Sequence, residues 1–576
     1  MAPIRLVKMY IKNILNIAKI KSCSPLKLLC NLPEVCSTVG NYSFTKYWSV
    51  IASSTLYRTS CSIFTIALIC LGITSCTQTL SPLSLHFKKD YQVRNFYNSS
   101  VVLSKLDFSK DVLDESNYPK IHLSSPGCDF KQNGQFIELS NNSETEQQSF
   151  VSLGNLYNFA AIDMDIKGHI HNSSTASALL SFYKDKGNRF VITQRDFDSG
   201  SKKVILEIIK NGATVFHQTL PVEGIVAPNT LRVHLAGKYL NILLVKNEEW
   251  IVLGSFDVSE HFELRDKSIL EQFTLIAGAK LGNGDSFTIS KLEQYLTCGT
   301  AQADPKVLHY ENGAPIIEGN KIWVAMTTRA YDTQLYQGIY SYNLETKEWK
   351  VTATMVFNKG DGLIRQWSAS DVFFDRTDKK WKIFTVSHRD DHMLYSGETT
   401  VDPRFGLVEI SCSKVNYASV GNEEDPSVIY DYEAGKWRMA VCKAKNGYQT
   451  ILMEADTWNG EWNQIAVYEP RSSTGVLIQK IGGKPYVFIG RGDTPCPMEV
   501  LSYPSMEKVG ELNLSEHPVG KNVWPAIIPV TKNTGTAYYL LTFDRDAWTG
   551  HRTYGNIHWY YAEEFAKGFL EYEETK

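Results

Sequence analysis

The stretch EDPSVIYDYEAGKWRMAVCKAK, Glu424 to Lys445, decides the fold. Two acids and a proline lead into an apolar run, Val428 to Tyr430. A polar turn around Gly435 follows, and a second run carries Trp437 to Cys442. β-Branched and aromatic residues on both sides of a Gly-centred turn are the pattern of an antiparallel hairpin. Four further stretches repeat it: GAPIIEGNKIWVAMTTR from Gly313, SASDVFFDRTDKKWKIFTVSHRD from Ser368, TGVLIQKIGGKPYVFIGRGD from Thr474 and NVWPAIIPVTKNTGTAYYLLTFDRD from Asn522. Successive starts are 55, 56, 50 and 48 residues apart. A period near 50 with room for about four strands per copy is that of β-propeller blades, so five copies predict a five-bladed propeller over residues 300–576.

Upstream, the pattern changes to short period-2 segments such as FIELS, RFVITQRDF, KKVILEIIK and SFTISKLEQY, separated by turn signals such as KNG and LGNGD. Alternation at this spacing predicts an antiparallel β-sandwich over residues 77–299. It is similar to the concanavalin or laminin-G type of jelly roll. That resemblance implies either glycan binding or an inert packing partner. The fold class read from the sequence is therefore all-β.

Residues 1–76 have a different composition. They hold eight of the chain's 59 Lys and Arg but only one of its 62 acids, Glu34, so the remainder is net acidic. An acidic body excludes a nucleic-acid partner on electrostatic grounds. Arg58 precedes the apolar run SIFTIALICLGITSC, Ser62 to Cys76, which is short for a membrane span and about the length of a signal-peptide core. Its end resembles a bacterial lipobox with Cys76 as the lipidated residue; a buried helix or a transmembrane anchor are the other readings. The long basic stretch before it suggests a start further downstream. The expected location is outside the cytoplasm, periplasmic or lipid-anchored in an outer membrane, with membrane contact through the lipid alone. Downstream of Cys76, Cys128, Cys298, Cys412, Cys442 and Cys496 show no zinc spacing. Cys128 and Cys298 bracket the sandwich, either as a disulfide or as buried thiols.

In a propeller the inner strand of every blade starts beside the central axis, so equivalent positions converge. The set is Glu311 and Ala314 from the first copy, Asp371 from the second, Glu424 and Asp425 from the third, Thr474 from the fourth and Trp524 from the fifth. Strand ends add Arg329, His388, Arg389, Arg491, Asp493, Asp544, Arg545 and Asp546 as rim residues. Arg365 and Trp367, in LIRQWSASD, suit a sugar hydroxyl or uronate and a pyranose face respectively, although a Trp there also suits the core between blades. His388 is read either as a substrate or ion contact or as a structural hydrogen-bonder.

The third copy, DPSVIYDYEAGKW, resembles the Asp-Pro element of the five-bladed glycoside hydrolase family 43, and ASDVFFD in the second resembles that family's Ala-Pro-Asp element. The resemblance covers the C-terminal half. It implies that Asp425 tunes and orients a general acid and that Asp371 lines the sugar subsite. The family's first-blade Asp would fall near Ala314, where Glu311 is the closest acid, and its fourth-blade Glu would fall at Thr474. The family's catalytic pair is thus not carried over.

Glycoside hydrolysis needs two carboxyls with different protonation states. Glu311, Asp371, Glu424 and Asp425 are the candidates, with Glu424 as proton donor and Asp425 as its charged neighbour. A solvated turn is the bland alternative for the same residues. Regular alternation forbids both from facing inward. Arg329, Arg365, Trp367, His388, Arg491 and Trp524 are the expected substrate contacts. No nucleotide loop, HExxH or G-x-S-x-G elbow is present, so cofactor-free hydrolysis is expected, with a calcium ion on the axis left open. The expectation is a monomeric, exported glycosidase acting on a polysaccharide or oligosaccharide, with arabinofuranose-like sugars favoured by the resemblance. A non-catalytic glycan-binding lipoprotein is the alternative; a protein-interaction scaffold fits the inner acids least.

Overall fold

The computed structural model describes residues 80–94, 99–108, 118–170, 172, 176–195, 202–222, 229–246, 249–331, 334–388, 390–418, 422–444, 447–492, 497–517, 524–532, 535–544 and 556–563. Within them the chain is all-β: one helix, Lys267–Leu270, and one 3-10 turn, Pro82–Ser84, interrupt a long series of strands.

The alternating segments build a two-sheet antiparallel sandwich. One sheet orders its strands Ala213–Val222, Lys202–Lys210, Asn188–Arg195, Ser177–Asp185, Thr274–Leu281, Gln147–Asn155 and Lys120–His122. The other sets Asp285–Thr297 between Ala160–Ile170 and Phe136–Asn141. Leu180, Phe182, Ile192, Leu206, Val233 and Ile242 fill the space between the sheets. Each such side chain contributes about 1.5–3 kcal/mol relative to exposure.

The repeats fold as five four-stranded antiparallel blades. Their inner strands are Ala301–Val307, Ser368–Asp375, Glu423–Asp431, Ser473–Ile481 and Ala526–Lys532. Each inner strand touches the next, and the fifth returns to the first, so the ring is closed.

Two expectations are corrected here. The inner strand of the first blade is Ala301–Val307, not the segment from Gly313. Residues 308–316 instead turn back on themselves, with the Tyr310 amide donating to the Ala314 carbonyl at 2.8 Å. Polar Asp304 and Lys306 hide the true strand, because a buried lysine reads as surface. The second correction concerns the sandwich, assigned from residue 77. The strand His86–Val93 instead pairs antiparallel with Ile557–Glu563 as the outer strand of blade five. The ring is therefore closed by the segment that precedes the sandwich, and the sandwich strands begin at Ser100.

Sandwich and propeller belong to one compact unit. Tyr336 of blade one donates its hydroxyl to the Thr297 carbonyl at 2.8 Å, and Asn241 donates to Gln334 at 2.6 Å. Cys128, Cys298, Cys412 and Cys442 are buried thiols that form no disulfide, so a Cys128–Cys298 bridge is excluded. Cys76 and Cys496 lie outside the described residues.

Candidate active site

Four of the five inner strands open on a register shift, between Ala303 and Lys306, Ser368 and Asp371, Glu424 and Ser427, and Thr474 and Val476. Each shift contains a residue in the left-handed region: Asp304 (φ 52°), Ala369 (51°), Asp425 (62°) and Gly475 (62°). An extra residue bends a strand and re-aims its side chain, and Gly and Asp tolerate the conformation better than most residues. The bulge resolves the alternation problem at Glu424 and Asp425, which leave the strand in directions a regular pleat forbids.

Asp304 and Asp425 occupy the same bulge position of blades one and three, and each precedes a proline. Asp425 is buried and Asp304 half-buried. The Gly475 amide of blade four donates to Asp425 Oδ2 at 3.0 Å. Burial first, then the charges of Glu424 and Asp304, push the Asp425 carboxyl up to about 8, against the pull of Lys306 and the Gly475 amide. These surroundings favour the protonated form of the carboxyl, whereas the sequence reading gives Asp425 as the charged neighbour.

Lys306 fills the axis beneath. Its ammonium donates to the backbone carbonyls of Asp425 (3.1 Å), Pro426 and Val476 (3.4 Å) and stands 5.5 Å from the Trp524 ring centre. His309 Nε2 lies 3.1 Å from Asp371 Oδ1, and the Val428 amide donates to Asp371 Oδ2 at 2.6 Å. Burial would raise the Asp371 carboxyl, but His309, Lys306 and that amide outweigh it and hold it below the ordinary value. The same pairing raises His309 against its own burial. The remaining axial cavity, bounded by Lys306, His309, Asp371, Ser427, Gln479 and Trp524, is about 20 Å³. That is room for about one water. Asp304, Glu424 and Asp425 lie close enough to one another for their charges to interact.

Glu311 is not brought to this mouth. Its carboxylate accepts from Arg376 Nε at 3.0 Å and from the Tyr432 hydroxyl at 2.8 Å, beyond the far end of the third inner strand. Six strand residues, 426–431, separate Asp425 from Tyr432, roughly 20 Å. Arg365 and Trp367 are also corrected as substrate contacts. Arg365 is buried and pairs with Asp361 and, at 3.1 Å, Asp390. Trp367 is buried between Phe357 and Tyr395, with its indole N–H donating to Asp390 at 3.0 Å. Trp524 is buried over Lys306 rather than open as a stacking platform.

Arg329 and Arg491 lie opposite Ala301 and Ser473, beside the strand starts, and Arg491 pairs with Glu499 at 3.2 Å. Asp544 is buried against His558 at 2.8 Å. Glu424 accepts from His392 Nε2 at 2.6 Å, with His388 Nε2 at 3.7 Å. Thr474, half-buried, occupies the blade-four strand start. Arg389, Asp493, Arg545 and Asp546 lie outside the described residues.

The sequence reading missed Asp304, Lys306, His309 and His392. A signal for the first existed: Ala303-Asp304-Pro305 mirrors Glu424-Asp425-Pro426, and aligning those Asp-Pro pairs places the first inner strand correctly.

No family profile and no curated protein matches the chain. Among solved structures it is similar to an endo-1,4-beta-xylanase from Bacteroides thetaiotaomicron, at 15% identity over 44% of this chain and 89% of that one, TM-score 0.31. It is also similar to an exo-beta-1,3-galactanase from Clostridium thermocellum, at 11% identity over 45% of this chain and 59% of that one, TM-score 0.34. A legume lectin-like domain from Entamoeba histolytica matches at 11% identity over 31% of this chain and 90% of that one, TM-score 0.25.

Proposed function

We propose that the chain is a glycoside hydrolase acting at the axial mouth, with Asp425 as proton donor and Asp304 as the base that activates water. The observation that carries the reading is the placement of these two carboxyls at equivalent bulges of blades one and three. Hydrolysis of a glycosidic bond needs one carboxyl to protonate the leaving oxygen and a second, ionised one to drive water or attack directly. Asp425 is enclosed among like charges, which favours its acid form; Asp304 is the more exposed and suits the ionised role. Asp371, paired with His309 in the axis, supports the floor of the site.

The substrate class is a polysaccharide or oligosaccharide, with arabinofuranose-like sugars favoured by the family 43 resemblance. Export and lipidation at Cys76 belong to the same proposal; failure of Cys76→Ser to abolish lipid labelling in a bacterial host would remove that part of it. One observation favours a second reading, a binder without turnover: blade four supplies Thr474 and Gly475 at its bulge, where no acid is offered.

The deciding experiment is sugar release from a panel of polysaccharides and aryl glycosides by the full chain. Asp304→Asn and Asp425→Asn should each lower release by about 100-fold or more, the scale of lost acid–base assistance, with unchanged melting. Glycan retention without release from any substrate would establish the binder instead.

A further inference from the structure

The loop Ser387–Met393, between the second and third strands of blade two, presents two imidazoles to a carboxylate of blade three. His392 Nε2 lies 2.6 Å and His388 Nε2 3.7 Å from the same oxygen, Glu424 Oε1. Ligand atoms of the three residues all fall within 4.8 Å of one another, and the imidazole ring centres are 4.7 Å apart.

The described residues of the loop are held from both sides. The Ser387 hydroxyl donates to Asp391 Oδ1 at 2.6 Å, the Tyr395 hydroxyl donates to Asp391 Oδ2 at 2.9 Å, and the Ser387 amide donates to the Met393 carbonyl at 3.0 Å. Asp390 is fixed by Arg365 and Trp367, at 3.1 and 3.0 Å. His392 takes a left-handed backbone (φ 53°), which turns it back toward Glu424. The Arg and Trp expected to grip a sugar are thus positioning residues for this loop.

We propose that His388, His392 and Glu424 bind one divalent transition-metal ion of the zinc class at the rim of the mouth. Zinc bonds to imidazole nitrogen and carboxylate oxygen are about 2.0–2.2 Å, which puts ligands of one ion roughly 3.4 Å apart. Small side-chain rotations bring these three atoms to that spacing. Two imidazoles and one carboxylate select zinc-class ions over calcium or magnesium, which favour all-oxygen shells. Three protein ligands leave a fourth position for water or for an oxygen-rich ligand. His388, whose side chain is 41% exposed, leaves the site open to solvent. Glu424 thereby becomes a ligand rather than the proton donor expected from the sequence. The metal site stands whether or not the chain turns over a glycan.

The test uses the full chain stripped with EDTA and then titrated with Zn²⁺ by calorimetry and with Co²⁺ by absorption. The expected result is one ion per chain and visible cobalt d–d bands without the near-ultraviolet band of a thiolate ligand. Zn²⁺ should raise the melting temperature. His388→Ala and His392→Gln should each weaken binding at least tenfold and abolish the melting shift, while the metal-free variants melt like the parent. His388, being exposed, gives a variant that folds even if His392→Gln does not. Unchanged Zn²⁺ affinity in both variants, a thiolate band, or no Zn²⁺ bound at micromolar concentration would each overturn the proposal.

Discussion

The Lys306 ammonium of blade one lies 3.1 Å from the backbone carbonyl oxygen of Asp425 in blade three, across the centre of the ring. Its further acceptors, the Pro426 and Val476 carbonyls, bring blade four into the same cluster. Burial pulls this lysine's pKa down, while Asp371 and Asp425 foremost hold it up. A cation of blade one held by carbonyls of blades three and four ties three blades together at the axis. Lys306→Met leaves buried carbonyls and Asp371 without it, and losing one member of a buried charged cluster costs about 3–5 kcal/mol. Denaturant unfolding of the variant should show a loss of that size; a midpoint unchanged from the parent would mean the lysine is dispensable to the ring.

The same geometry predicts indifference to calcium. The carbonyl cluster is occupied by an ammonium, so millimolar Ca²⁺ added to the EDTA-treated chain should leave its melting temperature where it was. A rise of several degrees would place an ion on the axis and contradict the role given to Lys306.

Glu311 gives a pH prediction. Burial alone would raise its carboxyl, but the hydrogen bonds from Arg376 and Tyr432 outweigh it and bring the pKa down to about 2. The unfolded chain therefore binds the proton first as pH falls. The stabilisation from this residue is present above the unfolded value near 4.5 and is lost as pH drops from there through about 2. Glu311→Gln should flatten that limb of the stability–pH curve. Turnover should be unaffected, because the residue stands at the opposite end of the ring from Asp425. A variant that lost activity with its stability intact would return Glu311 to the mechanism.

Glu311 shows how far the sequence alone is legible. The blade period is readable because hydrophobic strands around Gly turns repeat, and five copies of such a unit have few other ways to bury Trp and Phe. Asp425 was readable because Asp-Pro opens a strand. The first inner strand was not, since its identity hangs on Lys306, whose burial depends on carbonyls more than a hundred residues away. The ring closure by His86–Val93 was invisible for the same reason: a strand whose partner lies at residues 557–563 leaves no local mark. Trp367 looked like a sugar platform because sequence reports residue type and not direction; its neighbours Phe357 and Tyr395 take the ring inward.

Gly475 tests the packing at the mouth. Its backbone is left-handed (φ 62°), and a Cβ there would lie 2.5 Å from the Trp524 ring. Gly475→Ala therefore meets both a backbone penalty of about 1 kcal/mol and a clash with an indole that packs over Lys306. Melting should fall, and near-ultraviolet circular dichroism should report a displaced tryptophan. Since the Gly475 amide also donates to Asp425, sugar release should fall with it. An alanine variant with parental melting and an unmoved tryptophan signal would show that the mouth is looser than this packing requires.

The fifth blade makes the strongest structural prediction, because its outer strand is supplied from the other side of the sandwich. Tyr91 on that strand lies beside the packed rings of Tyr342 and Trp559, at 6.3 and 6.4 Å, and accepts the Trp349 indole N–H at 3.1 Å. One tyrosine therefore links blade five to blade one at the point where the ring closes. Replacing it removes aromatic packing and leaves a half-buried indole N–H without its acceptor, so Tyr91→Ala should cost about 2 kcal/mol. Deleting residues 79–93 goes further: Ile557–Glu563 becomes an open sheet edge, which favours pairing between chains. The deleted chain should elute as larger species on gel filtration and be cut by protease in blades one and five before the sandwich yields. A monomer with parental protease resistance would show that four blades and a three-stranded fifth close the ring without this strand.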